Sequence, residues 1–218
     1  MTGNSAGYGG GIFNVLDSHL DLMESTVSQN AAGEAGGIRF DDSGTLTNST
    51  IADNRVTDPG GRRGSLGGYG GGIHIRGLGT VQILNSTIAR NSSTDDGGGI
   101  NIAPAYLDSL PAPISDIIDL PPGRMTLRNS VVAGNTVEGS AADCEKAFAT
   151  ITSLGHNIDG DGSCRLTVVG DLPSGDPLLG PVADHGGRTD TAALLPGSPR
   201  STPRTAAARR RPPPRRRL

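Results

Sequence analysis

Three polar residues stand at matching places in this chain. Arg39, His74 and Asn101 are the middle residues of Ile38-Arg39-Phe40, Ile73-His74-Ile75 and Ile100-Asn101-Ile102, each behind a Gly-Gly pair. Aligned on one face, a guanidinium, an imidazole and an amide could bind an anionic or hydroxyl-rich polymer. Two longer segments flank these triplets, at about residues 55–69 and 103–123, and long loops on a regular scaffold often carry binding. Arg62 and Arg63 lie in the first; Tyr106, Asp108, Asp116 and Asp119 lie in the second. Cleavage of a glycan by hydrolysis needs two positioned carboxylates. The paired acids are Asp41-Asp42 and Asp95-Asp96. Both fall near expected corners, where Asp side chains usually accept local backbone N–H groups.

Other candidates carry weaker signals. Asp159-Gly160-Asp161-Gly162 resembles half of a calcium loop, but it lacks the closing bidentate Glu and the ligand spacing of an EF-hand. The expectation there is a tight turn, with no metal site and no cofactor anywhere in the chain. His19, His74, His156 and His185 show no ligand spacing. Tyr8 and Tyr69 occupy equivalent corner positions, which packing explains. Asn48, Asn85 and Asn91 match glycosylation sequons, yet Asn48 and Asn85 head a repeated motif that already accounts for them.

What must position these residues is a repeat. Glu24-Ser25-Thr26-Val27-Ser28-Gln29-Asn30 aligns with the segments ending at Asn54, Asn91 and Asn135. It alternates with Gly10-Gly11-Ile12, Gly36-Gly37-Ile38, Gly71-Gly72-Ile73 and Gly98-Gly99-Ile100. The closing Asn recurs at spacings of 24, 37 and 44 residues, so 24 is the bare repeat and the longer ones carry the two insertions. A period of this size signals stacked coils. Met1 falls inside the pattern, so the expectation is an array entered part-way.

Each repeat holds three segments of strand character: the triplet after the glycines, then stretches such as Leu20-Asp21-Leu22, Val81-Gln82-Ile83 and Met125-Thr126-Leu127, then the Ser-Thr-Ile segment. Apolar residues at i and i+2 give the period of a strand buried on one face. The fold class expected is therefore all-β, a single-stranded right-handed parallel β-helix of about five coils. One coil cannot stand alone. About five buried aliphatics yield roughly 1.5–3 kcal/mol each, while ordering some 24 residues costs about 1–2 kcal/mol apiece. Asn30, Asn54, Asn91 and Asn135 are expected to stack as an Asn ladder satisfying corner backbone groups. The glycines are expected to permit positive φ at the opposite corner.

The chain has 218 residues, of which 34% are hydrophobic and none is Trp. No apolar run approaches membrane-spanning length, and no secretory signal precedes the repeats. Net charge is −3, but residues 200–218 hold eight basic side chains and no acidic one. The other 199 residues hold 11 basic and 22 acidic side chains, a net of −11, which disfavours nucleic acid as a partner. Cys144 and Cys164, in a loop-rich stretch beyond the last repeat, are expected to form a disulfide; a CxxC pattern is absent.

Residues 143–199 add a resemblance. Asp143-Cys144, Ile151-Thr152-Ser153-Leu154-Gly155-His156-Asn157-Ile158 and Asp161-Gly162-Ser163-Cys164 carry its first half. Asp176-Pro177-Leu178-Leu179-Gly180-Pro181, Asp184-His185-Gly186-Gly187 and Ala193-Leu194-Leu195-Pro196-Gly197-Ser198-Pro199 carry its second. The segment resembles the C-terminal part of bacterial choice-of-anchor Q proteins, and the repeats of residues 1–142 are similar to the pectin-lyase-like β-helix of the same family. The resemblance implies an exported or surface-associated β-helix of unassigned biochemistry. Lyases on this fold typically rely on calcium and a basic residue, and the polygalacturonase-type signatures Asn-Thr-Asp, Gly-His-Gly and Arg-Ile-Lys are absent.

The resemblance stops after Pro199. The family continues Ala-Ile-Asp-Ala, and loss of one base from codons for that peptide gives Arg-Ser-Thr-Pro, the residues at 200–203. Residues 200–218 are therefore expected to be a frameshift product; the competing reading is a basic, disordered arm. The function expected is a non-catalytic, monomeric, extracellular or cell-surface scaffold binding a polysaccharide or other cell-surface polymer. The alternative is a carbohydrate-active enzyme, a lyase or glycoside hydrolase, working over Arg39, His74 and Asn101.

Overall fold

A computed structural model describes residues 1–57, 68–77, 79–103, 123–146 and 149–200. The described chain is all-β. Its strands stack into four sheets of parallel pairs, an arrangement consistent with a parallel β-helix.

The triplets form the first sheet: Ile12–Asn14, Ile38–Phe40, Ile73–Arg76, Ile100–Ala103 and Cys144–Lys146. Ile73 pairs in register with Ile38 on one side and Ile100 on the other. The second sheet joins His19–Met23, Ser43–Thr47, Thr80–Leu84, Arg124–Arg128 and Thr150–Ser153. The third joins Thr26–Ser28, Thr50–Ala52, Thr87–Ala89, Val131–Ala133 and Ile158–Asp159. Alternation sends Ile38, Ile73, Ile100, Ile83, Leu127, Ile51, Ile88 and Val132 into one continuous core. Gly44 stands in an aliphatic column between Leu20 and Val81. A Cβ there would lie 2.4 Å from the Phe40 ring, so the glycine makes room for the largest core side chain.

Three strands per repeat were expected, and there are four. The additional sheet contains Ser5–Tyr8, Ala31–Glu34, Arg55–Val56, Ser92–Ser93 and Thr136–Val137, with Ser140–Ala141 pairing antiparallel at its end. Most of its residues are small or polar, Tyr8, Val56 and Val137 apart, and they lack the aliphatic alternation that marks the other three. Pairing of backbone with the neighbouring layers holds it instead.

Two side-chain ladders close the corners. Asn30, Asn54, Asn91 and Asn135 are buried, and the backbone N–H and Nδ2 of each donate to one oxygen of the next residue in the column, at 2.8–3.0 Å. The last acceptor is not an Asn but Oδ1 of Asp143. In the second ladder Ser25, Ser49 and Ser86 donate their N–H groups to the hydroxyls of Ser49, Ser86 and Ser130, and Ser130 donates to Asn157. Asn48, Asn85 and Asn129 precede these serines in left-handed backbone, at φ 50–51°, which Asn tolerates.

The glycine-rich corner does carry the expected positive φ, but not within the Gly-Gly pairs themselves. Positive φ falls on the residue before each pair, at Gly9, Ala35, Gly70 and Gly97. The second glycine of each pair lies against the Asn ladder. A Cβ at Gly72 would meet Asn91 Nδ2 at 2.8 Å and the Gly99 carbonyl at 2.7 Å. Close approach of backbone to the ladder, not chain reversal, demands the pair.

Cys144 and Cys164 form a disulfide with Cα atoms 4.9 Å apart. Beyond it, a hairpin of Leu179–Ala183 and Thr191–Leu194 returns to the third sheet. Arg90 donates to the Gly180 carbonyl and Thr26 to that of Asp190, and a cleft of about 570 Å³ remains beneath. No described helix is long and apolar enough to cross a membrane.

Candidate functional site

The first sheet's outward column runs Phe13, Arg39, His74, Asn101, Glu145, one residue per layer. The structure thus brings Arg39, His74 and Asn101 together. They do not form a solvated ladder, however: their exposures are 3, 2 and 3%. Arg62, Arg63, Tyr106, Asp108, Asp116 and Asp119 lie outside the described residues.

The partners of this column come from the adjoining left-handed corner. Tyr8 pairs in register with Glu34. The N–H groups of Gly9, Ala35 and Gly70 donate in turn to the carbonyls of Glu34, Tyr69 and Asp96. The result is a second column, Tyr8, Glu34, Tyr69, Asp96, beside the first. Arg39 lies 4.7 Å from the Tyr8 ring centre and 4.9 Å from that of Phe13, a cation–π seat. Its Nε and Nη2 donate to both oxygens of Asp41, at 2.7 and 3.1 Å. Its Nη1 lies 3.2 Å from Glu34 Oε1, and the same oxygen is 3.2 Å from His74 Nε2. Tyr69 stacks on the His74 ring at 5.9 Å.

Burial, with the Arg39 charge adding to it, pushes the His74 pKa down to about 3. The imidazole is therefore neutral at pH 7. Burial raises the Glu34 carboxyl above its ordinary value, and Arg39 opposes that rise. Glu34 Oε2, His74 Nδ1 and Asn101 Oδ1 are buried without a hydrogen-bond partner among the described residues.

The paired acids separate. Asp41 is spent on Arg39, while Asp42 accepts the N–H groups of Asp17 and Ser43. Asp95 accepts the Gly68 N–H. Asp96 is exposed, and partial burial, then Glu145 and Asp95, raise its pKa. His19 bonds Ser43 and Asp21 at the surface, and His156 and His185 lie far from the column in sequence and in sheet. Asn48 and Asn85 are exposed, whereas Asn91 is fully buried in its ladder and closed to modification.

A second polar cluster lies at the other end of the stack. Ala142-Asp143-Cys144 replaces the next Gly-Gly-Ile, with Cys144 in register with Ile100. Asp159 pairs with Val132, which pairs with Ile88, so it occupies the inward column of Val27, Ile51, Ile88 and Val132. One carboxylate oxygen from each of Asp143, Asp159 and Asp161 lies within 4.8 Å of the others. Burial is the largest cause raising Asp143 to about 6 and Asp159 to about 7. Burial would raise Asp161, but the hydroxyl and N–H of Ser163, the N–H of Asp143 and the Asp159 carboxyl together lower it. Glu34 and Asp143 escaped the sequence reading, which weighed Asp159 and Asp161 as half of a calcium loop and expected only a tight turn there. Extending the Gly-Gly-Ile alignment by one copy would have exposed Asp143.

Comparison with known proteins returns no match to a protein-family model, a curated protein or a solved structure.

Proposed function

We propose that this chain is a non-catalytic extracellular or cell-surface scaffold that binds a polysaccharide or similar polymer as a monomer. We read the stack as a right-handed parallel β-helix of about five coils, related to the choice-of-anchor Q proteins through the motifs of residues 143–199. One observation carries the non-catalytic reading. The acids that touch Arg39 and His74 are committed internally, Asp41 to Arg39 and Glu34 to both Arg39 and His74. Two carboxylates facing a sugar across an open groove would be needed for hydrolysis. The disulfide between Cys144 and Cys164 supports an oxidising, extracellular location.

A second reading has its own support. A buried acid of raised pKa, Glu34, beside a neutral His74 and an Arg is the kind of perturbed constellation that active sites use. The purified chain should be incubated with polyuronides and neutral glycans, and both retention and product release followed. Retention without new reducing ends or unsaturated products is expected. Turnover that disappears in Glu34→Gln would establish the enzyme instead, and absence of retention on every polymer would sink the binding role.

A further inference from the structure

Asp159 sits where the fold calls for an aliphatic side chain. Four residues of its column, Val27, Ile51, Ile88 and Val132, are fully buried, and so is Asp159. Its Oδ1 accepts the Gly162 N–H at 3.0 Å, but its Oδ2 is buried with no hydrogen-bond donor among the described residues. Asp161, whose carboxyl interacts with that of Asp159, offers only acceptor oxygens when ionised. Two acceptors facing each other in a buried place need either a shared proton or a cation between them. Among the described residues, no cationic side chain is one of the groups that perturb the three carboxyls.

The remaining acceptor capacity can be counted. Asp143 Oδ1 receives two donors from Asn135, and Asp161 Oδ1 receives two from Ser163. Asp143 Oδ2 and Asp161 Oδ2 receive one each, from the N–H groups of Asp161 and Asp143. A carboxylate oxygen has about two lone pairs, so each carboxyl keeps an oxygen able to ligate. Gly160 preserves the space: a Cβ there would lie 2.7 Å from Asp143 Oδ2.

We propose that Asp143, Asp159 and Asp161 form a calcium site that closes the end of the stack beside the Cys144–Cys164 disulfide. Hard oxygen donors alone, all of them carboxylates, suit Ca²⁺, whose ligands lie about 2.3–2.6 Å from the ion. Two ligands on opposite sides of the ion are then about 4.6–5.2 Å apart, which spans the observed limit of 4.8 Å. Water completes the shell. The ion takes the place of the aliphatic contacts that Asp159 forgoes, and it ties the last strand of the third sheet to the segment carrying Cys164.

The test uses the oxidised full chain, stripped with chelator and titrated with CaCl₂ by calorimetry at pH 8, with melting followed in parallel. Binding with a dissociation constant of about 10⁻⁴–10⁻³ M or tighter is expected, and a rise in Tm of roughly 2–8 °C in millimolar calcium. Asp159→Asn should keep the circular dichroism spectrum and lose both responses. Absence of heat and of a Tm shift in the native chain would mean that a shared proton alone sits between the carboxyls, and would overturn the proposal. An undiminished calcium response in Asp159→Asn would overturn it too, by locating the ion elsewhere. If that variant does not fold, Asp161→Asn gives the same comparison, and the native titration stands by itself.

Discussion

The corner around Arg39 and the end around Asp159 both bury ionisable groups on one scaffold, and they balance charge in opposite ways. At the corner, the cation is built in: Arg39 is held by Asp41, Glu34 and two aromatic rings, and the neighbouring imidazole stays neutral. At the end, three carboxyls meet and backbone N–H groups carry most of the compensation. The corner carries its own cation, though Glu34 Oε2, His74 Nδ1 and Asn101 Oδ1 find no partner among the described residues, whereas the end has an opening for a cation. A stack can thus bury polar groups anywhere along its axis, provided that each layer supplies the complement to the layer before it.

The largest effect is expected from emptying the corner of its cation. Arg39→Met removes the partner of Glu34 and Asp41 and leaves two carboxylates in poor surroundings. Breaking a buried pair in this way costs about 3–5 kcal/mol, measurable by urea denaturation. Adding Glu34→Gln should recover part of that loss, because the stranded charge is then gone. A cost below about 1 kcal/mol for Arg39→Met would place the corner among exposed ion pairs and erase the contrast.

His74 at the corner and the carboxyls of the end also have pH signatures of opposite sign. His74 falls to about 3 in the folded chain, so the unfolded chain binds more protons below pH 6.5. The stability that follows is present above 6.5 and lost as pH falls towards 3. Asp143 and Asp159 rise to about 6 and about 7, so the folded chain binds more protons than the unfolded above the ordinary value of 3.8. Their contribution is present below pH 3.8 and lost as pH rises through 6 and 7. Denaturation from pH 3 to 9 in chelator should show both limbs. His74→Gln should flatten the acid limb alone and Asp159→Asn the neutral one alone. One variant flattening both would mean that the two regions are coupled through the stack.

Much of this was legible in the sequence where a side chain repeats. Ile38, Ile73 and Ile100 do lie in register, the Asn column does form a ladder, and Cys144 does pair with Cys164. What stayed hidden depends on residues that break their column. Glu34 stands among Tyr8, Tyr69 and Asp96, so no shared chemistry marks the position. Asp143 substitutes for a glycine, and it lies 16 positions before Asp159, a separation that only the stacked backbone closes. The fourth strand shows no apolar period, and members of two residues, such as Arg55–Val56 and Ser92–Ser93, are too short to display one.

The smallest effect separates the two duties of Asp143. Its Oδ1 ends the Asn ladder by accepting two donors from Asn135, and its Oδ2 belongs to the acidic cluster. Asp143→Ala strands both donors in a buried place and should cost about 1–3 kcal/mol. Asp143→Asn retains an amide oxygen for Asn135, as every earlier rung of the ladder does. It exchanges a partly protonated carboxyl for a neutral amide, at the expense of one bond from the Asp161 N–H. The change should stay within about 1 kcal/mol at pH 5, where the native carboxyl, with its pKa of about 6, is already mostly neutral. At pH 8 without calcium the Asn variant should be the more stable of the two, since it relieves repulsion with Asp159 and Asp161; in millimolar calcium that order should reverse. Equal losses from Ala and Asn at both pH values would show that the ladder needs a full charge at its end, and the end would then resemble the corner after all.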